Sequence, residues 1–153
     1  MGLLGYALGE HAGKSYEELV VERICRRLDM KDTTTTLSKD QKRQLASGIS
    51  AFGLPAMNWD LPTLSGAGGI RSTLDDMLKF LRANLAPDKS PLAKAIRLSH
   101  LPRFTVHEPS EKEPFKVEIG LGWHITTDDG LSIIWHNGMT GGYASYVGFV
   151  PDK

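Results

Sequence analysis

The residues of this chain best suited to chemistry stand near its C-terminal end, in His136-Asn137-Gly138-Met139-Thr140-Gly141-Gly142. They follow the apolar run Leu131 to Trp135, which has the composition of a strand. A glycine at 138 removes the side chain that would keep a ligand away from a strand edge. Backbone N–H groups there can then point at a bound acyl group. The imidazole of His136 lies two residues earlier, and alternate strand residues share a face. These residues describe either one side of a functional cleft or a plain turn at a strand end.

Other candidates carry less. Ser65-Gly66-Ala67-Gly68-Gly69 resembles a phosphate cradle only in its glycines. It has no Gly-Lys-Ser/Thr and no strand of a parallel βαβ unit before it, so a tight turn ahead of a helix is the simpler reading. The five histidines, His11, His100, His107, His124 and His136, include no pair at helical metal-ligand spacing. His11, His100 and His107 read as surface residues, and His124 faces one side or the other of its strand. With a single cysteine, Cys25, no internal disulfide forms, and a packed thiol within a helix is expected rather than a nucleophile. No metal and no cofactor are expected.

The totals set outer limits. The chain has 153 residues, 41% of them hydrophobic and 24% charged, which suits one globular domain with a real core. Lys+Arg and Asp+Glu balance at 18 each. Such a balance gives no footprint for nucleic acid or an anionic membrane. No apolar run is long enough to span a bilayer, and Met1 to Leu8 lacks the basic start of a signal peptide. Export and a cytoplasmic location are both compatible with these residues.

The elements that would position the site follow from periodicity and caps. Gly2 to Ala12 is expected to be a helix stopped by Gly13. Ser15 and Glu18 form a capping box for the next helix, whose buried face is Tyr16, Leu19 or Val20, Ile24 and Leu28. Ser38 and Gln41 form a weaker box for a helix through Ala46. Ala51 to Leu64 is irregular, with Trp59 expected to pack. Ser72 is expected to cap a helix whose apolar stripe is Leu74, Met77, Leu78, Leu81 and Leu85, ended by Pro87. A short helix runs from Ser90 and Pro91 to about Ser99. Pro102 to Lys116 reads as a surface loop. Ile119 to Thr126 and Leu131 to Trp135 read as strands joined at Asp128-Asp129-Gly130, and Gly141-Gly142 leads into a strand from Tyr143 to Val150. Helices first and an antiparallel sheet last make the fold class α+β. The expected organisation is a single incomplete domain over 1–153, mainly helix and loop over 1–116 and antiparallel strands over 117–153.

The order of several segments is similar to that of the serine β-lactamase-like family, which contains class C β-lactamases, DD-peptidases and related esterases. The segments are Gly2-Leu3-Leu4-Gly5-Tyr6-Ala7-Leu8, Gly13-Lys14-Ser15-Tyr16-Glu17-Glu18-Leu19 and Leu28-Asp29-Met30-Lys31-Asp32-Thr33. Gly68-Gly69-Ile70-Arg71-Ser72-Thr73 with Asp75-Asp76-Met77 follows. Last come Gly120-Leu121-Gly122-Trp123, Trp135-His136-Asn137-Gly138 and Thr140-Gly141-Gly142. The resemblance covers nearly the whole chain and implies a partial β-lactamase/transpeptidase-like fold.

In that family three motifs build the site. Ser-x-x-Lys supplies the nucleophile and its proton acceptor. Tyr-x-Asn shares in proton transfer. Lys-Thr-Gly, or a variant such as His-x-Gly, lies on an edge strand, and His136-Asn137-Gly138 matches the variant. The resemblance implies that the backbone N–H of Met139 is one oxyanion donor. It gives His136 a substrate carboxylate or a proton network, and places Asn137 along the strand edge. Neither Ser-x-x-Lys nor Tyr-x-Asn occurs in these residues. Thr36-Leu37-Ser38-Lys39 has threonine first, and Tyr143-Ala144-Ser145 is only a loose imitation. The expectation is a fragment of a serine hydrolase acting on a small acyl substrate when complete, and inactive by itself. The alternative is a stand-alone binding or assembly protein on the same fold piece. Self-association through unpaired strand edges is expected in either case.

Overall fold

The computed structural model describes residues 1–151; the last two residues of the expected 117–153 strand region lie outside them. Helix α1 (Gly2–Ala12) ends at Gly13, whose N–H donates to Glu10 O at 3.2 Å. Helix α2 (Tyr16–Val20) begins with the expected reciprocal cap. Glu18 N donates to Ser15 Oγ at 3.2 Å, and Ser15 N donates to the Glu18 carboxylate at 2.7 Å. The helix expected through Leu28 is not regular. It widens into a π-type turn over Val21–Cys25 and tightens to 3₁₀ over Arg26–Leu28. The change of pitch rotates the apolar face, so Cys25 is the buried residue and Ile24 and Leu28 are half-buried.

Helix α3 (Lys39–Gln44) carries the second box, closed by Gln41 N on Ser38 Oγ at 3.2 Å. Strands β1 (Gly48–Ile49) and β2 (Pro55–Ala56) form a two-stranded antiparallel sheet. Trp59, expected to pack, lies half exposed with its indole against Gly141, and its carbonyl accepts from Arg71 at 2.7 Å. A 3₁₀ turn spans Ser65–Ala67, as the glycine content required.

Helix α4 (Leu74–Leu85) is capped by Thr73 rather than Ser72: Asp76 N donates to Thr73 Oγ1 at 3.3 Å. The Ser72 hydroxyl is engaged instead by Thr33 Oγ1 at 2.7 Å. The apolar stripe holds only toward its end. Leu74 and Leu78 are exposed, while Phe80, Leu81 and Leu85 pack on the core. Helix α5 (Ala93–His100) follows.

The region expected to be a loop contains strand β3 (Phe104–His107), and strand β4 (Lys116–Ile119) starts at its end. The two pair antiparallel, with a register shift between Thr105 and His107. The charged residues that suggested a loop fill the connection between them. The single strand expected over Ile119 to Thr126 is broken by a turn at Gly120–Trp123, closed by Gly120 N on Trp123 O at 2.8 Å. Strand β5 (His124–Asp128) then joins β6 (Leu131–Thr140) through the expected hairpin. Asp128 faces Leu131, and Asp129 and Gly130 both take positive φ, at 43° and 75°. Two such residues make the turn whose twist matches antiparallel strands. Strand β7 (Tyr143–Phe149) completes a five-stranded sheet in the order β3-β4-β5-β6-β7.

The chain divides into two compact units. One comprises residues 1–79 and 138–145. Its fully buried side chains include Cys25 and Asp76. The other comprises residues 80–137 and 146 onward. Its core is Trp123, Ile125, Ile134 and Phe149. Ile125 and Ile134 are cross-strand partners, and the Trp123 indole meets the Phe149 ring edge-on at 5.6 Å. Among the described residues no helix is long and apolar enough to cross a membrane.

Candidate functional site

The strand pairing sets how the candidate residues are presented. From Asp128↔Leu131 to His124↔Trp135 the β5–β6 ladder runs in register. His136, Asn137, Gly138 and Met139 continue β6 beyond it and are all exposed, Met139 to 80%. The imidazole of His136 stands against that of His124, with ring centres 5.5 Å apart and planes tilted by 36°. His124 is itself stacked on Trp135 at 4.6 Å, and Trp135 on Tyr146 at 5.8 Å. His124, whose side of the strand the sequence leaves open, therefore belongs beside His136. The hairpin register, a two-residue loop at 129–130, places His124 opposite Trp135; its approach to His136, one residue beyond the ladder, follows from ring placement that the register alone does not give.

Gly138 is open. A Cβ built on it meets only Ser145 Oγ, at 3.5 Å, an ordinary contact. Packing within the chain therefore does not demand glycine at 138. The next two glycines differ. A Cβ on Gly141 would fall 2.6 Å from Met57 O, and one on Gly142 would fall 2.6 Å from Ala56 Cβ. Ile49 N donates to Gly142 O at 3.0 Å, and the Tyr143 hydroxyl donates to Ala46 O at 2.7 Å. Gly141 and Gly142 thus lie against the β1–β2 hairpin and hold the turn after the candidate segment.

The remaining histidines separate cleanly. His100, expected on the surface, is half-buried at the end of α5. It bonds Asn84 Oδ1 at 2.9 Å and packs on Trp123 and Phe149. Burial depresses its pKa, because the charged imidazolium loses solvation there. His107 lies on β3 rather than in a loop, beside Phe115 and the Glu113 carbonyl. Burial, and to a lesser degree the charge of Asp76, pushes the Cys25 thiol up, away from the thiolate a nucleophile needs. Ser65 is buried and donates to Leu61 O at 2.7 Å. Among the described residues no group of three or more His, Cys, Asp or Glu is placed to hold a metal ion.

Three charged residues that periodicity misses tie segments together. Asp76, at 1% exposure, accepts from Asp32 N at 2.8 Å, Thr33 Oγ1 at 2.8 Å and Lys31 N at 3.2 Å. Glu17 accepts the Thr34 hydroxyl and the backbone N–H groups of Thr35 and Thr36. Arg71 donates to the carbonyls of Thr35, Gly69 and Trp59 and forms an ion pair with Asp60. All three fall inside the ordered segments that carry the family resemblance, which is the one sequence signal that marks them.

The beta-lactamase family profile matches residues 1–153. The chain is 34% identical to the D-alanyl-D-alanine-carboxypeptidase/endopeptidase AmpH of Escherichia coli K12, over 99% of this chain and 40% of that protein. It is 23% identical to a beta-lactamase of Pseudomonas fluorescens, over all of this chain and 50% of that one. The chain thus spans half or less of the length of these curated relatives. Among solved structures, the D-alanine carboxypeptidase AmpC of Burkholderia cenocepacia superposes with a TM-score of 0.81 at 20% identity, covering 98% of this chain and 51% of that chain. A class C beta lactamase of Rhodobacter sphaeroides gives 0.80 at 20% identity, covering 98% and 50%. The helices followed by a five-stranded antiparallel sheet are thus part of the β-lactamase fold. With the family profile matched from end to end, the chain belongs to the beta-lactamase family.

Proposed function

We propose that residues 136–139 form one wall of an acyl-transfer site, and that these 153 residues alone do not hydrolyse acyl substrates. Acyl transfer by a serine enzyme needs an activated nucleophile and donors for the tetrahedral oxyanion. In this reading the N–H of Met139 is one donor, Gly138 leaves room for the acyl group, and Asn137 lines the strand edge. His136 meets a substrate carboxylate or takes part in the proton network. The observation that carries the reading is Gly138, whose missing side chain opens onto space limited only by Ser145 Oγ at 3.5 Å. The nucleophile and its base are not supplied here, since neither Ser-x-x-Lys nor Tyr-x-Asn occurs. Ser65 does not replace them, because its hydroxyl is spent on a backbone carbonyl. The substrate class is a small acyl compound: a β-lactam, a peptide or an ester.

The test is a chimera in which residues 1–153 replace the matched stretch of the E. coli carboxypeptidase/endopeptidase. The chimera should turn over a chromogenic β-lactam or a p-nitrophenyl ester, and the 153-residue chain should not. Gly138→Val in the chimera should lower kcat/KM by roughly 10²-fold, comparable to losing an oxyanion donor, with an unchanged far-ultraviolet spectrum. Robust turnover by the pure chain, or a folded chimera indifferent to Gly138→Val, overturns the proposal.

A further inference from the structure

The sheet carries a second arrangement with its own chemistry, the imidazole pair His124 and His136. We propose that this pair binds a divalent ion of the borderline transition series, such as Zn²⁺, Ni²⁺ or Cu²⁺, with one nitrogen from each ring. An ion about 2.1 Å from one nitrogen of each of two imidazoles holds the ring centres roughly 5–6 Å apart. Here they are 5.5 Å apart and tilted by 36°, not stacked. Both rings are carried on strands of one hairpin, His124 at the end of its five-pair ladder and His136 one residue beyond it. Strand-borne ligands keep their spacing better than ligands on loops.

Among the described residues neither imidazole has a hydrogen-bond partner in the chain, whereas His100 is bound by Asn84 and His107 by the Glu113 carbonyl. The donor nitrogens of the pair are thus not committed. His136 is exposed and His124 half-buried, so a hydrated ion can reach both. Stacking of His124 on Trp135 limits the rotation of that ring. Neutral imidazole is a ligand for Zn²⁺, Ni²⁺ and Cu²⁺ and not for Ca²⁺ or Mg²⁺, and the order of affinities puts Cu²⁺ first. Among the described residues no third His, Cys, Asp or Glu ligand is placed with the pair, so water completes the coordination and affinity is modest. The inference stands on ring geometry and is independent of whether residues 136–139 line an acyl-transfer site.

Zinc added to the pure chain is the probe. Calorimetry should show one saturable Zn²⁺ site, and the imidazole proton resonances of His124 and His136 should be the ones that move. His124→Ala and His136→Ala should each weaken binding about tenfold or more, while His11→Ala leaves it unchanged. Absence of saturable binding up to about 1 mM Zn²⁺ overturns the site. So do shifts confined to other histidines in the unsubstituted chain, a result that needs no variant to fold. Full affinity in either folded variant overturns it as well.

Discussion

Asp76 accepts the hydroxyl of Thr33 at 2.8 Å across 43 residues of sequence, with both side chains buried. The same carboxylate takes the N–H groups of Lys31 and Asp32, and Lys79 Nζ lies 3.3 Å away. The start of α4 is thereby fastened to the 30–33 loop by a charge that would otherwise be costly to bury. Asp76→Ala strands these donors without solvent and should cost about 3 kcal/mol of stability. Asp76→Asn keeps one acceptor and should cost less. Urea denaturation of the two variants checks the order, and equal midpoints with the parent chain would remove the role.

Glu17 gives the acid limb of stability a specific source. Burial raises its pKa, but the hydrogen bonds from Thr34, Thr36 and Thr35 outweigh that and bring it from 4.5 to about 2. A carboxyl depressed in the folded state contributes stability above its unfolded value, and that contribution is lost as pH falls toward the folded one. Stability should therefore decline between about pH 4.5 and pH 2, with Asp76, also lowered, adding in the same direction. Burial opposes that lowering too, and the bonds from Thr33, Asp32, Lys79 and Lys31 overcome it. In Glu17→Gln the decline should be shallower in a pH series of thermal melts; a slope equal to that of the parent chain would exclude Glu17.

What the sequence disclosed and what it hid divide along physical lines. Capping boxes at Ser15 and Ser38 and the Asp129-Gly130 hairpin are local devices, and each is found where the sequence puts it. The helix cap falls on Thr73 and not on the expected Ser72, because two adjacent hydroxyls offer the same chemistry and Ser72 is drawn to Thr33 by a tertiary contact. Strand β3 was hidden because its partner, β4, lies across a charged connection, and pairing is not written in either strand alone. The candidate segment was legible through Gly138 and the family order. His124 was not, since the register pairs it with Trp135 and its closeness to His136 comes from side-chain placement at the end of the ladder.

The glycines after His136 should respond in opposite ways. Gly142 takes φ 77°, and its Cβ would lie 2.7 Å from Ile49 N and 2.6 Å from Ala56 Cβ. Gly142→Ala should therefore lower stability by about 1–3 kcal/mol through backbone strain and overlap. Gly138→Ala meets only an ordinary contact and should change stability by no more than about 0.5 kcal/mol. Melting temperatures of the two variants decide. A loss at Gly138 as large as that at Gly142 would mean packing, not a ligand, is what glycine serves at 138.

Self-association, expected from the sequence, can be tested at two features of the chain. Among the described residues β3 and β7 are the outermost strands of the five-stranded sheet, and free strand edges recruit other chains. Helix α1 turns Gly2, Gly5 and Gly9 inward and leaves Leu3 and Leu4 exposed at 74% and 52%. We expect a second copy to cover this apolar face, so that the solution mass rises above 16.8 kDa with concentration in the micromolar range. Leu3→Glu with Leu4→Glu should return the mass toward the monomer if α1 is the contact; an unchanged far-ultraviolet spectrum checks that the variant stays folded, since Leu4 is only 52% exposed. Sedimentation equilibrium separates the outcomes. A parent chain that stays monomeric removes self-association, and a double variant that still associates leaves the strand edges as the contact.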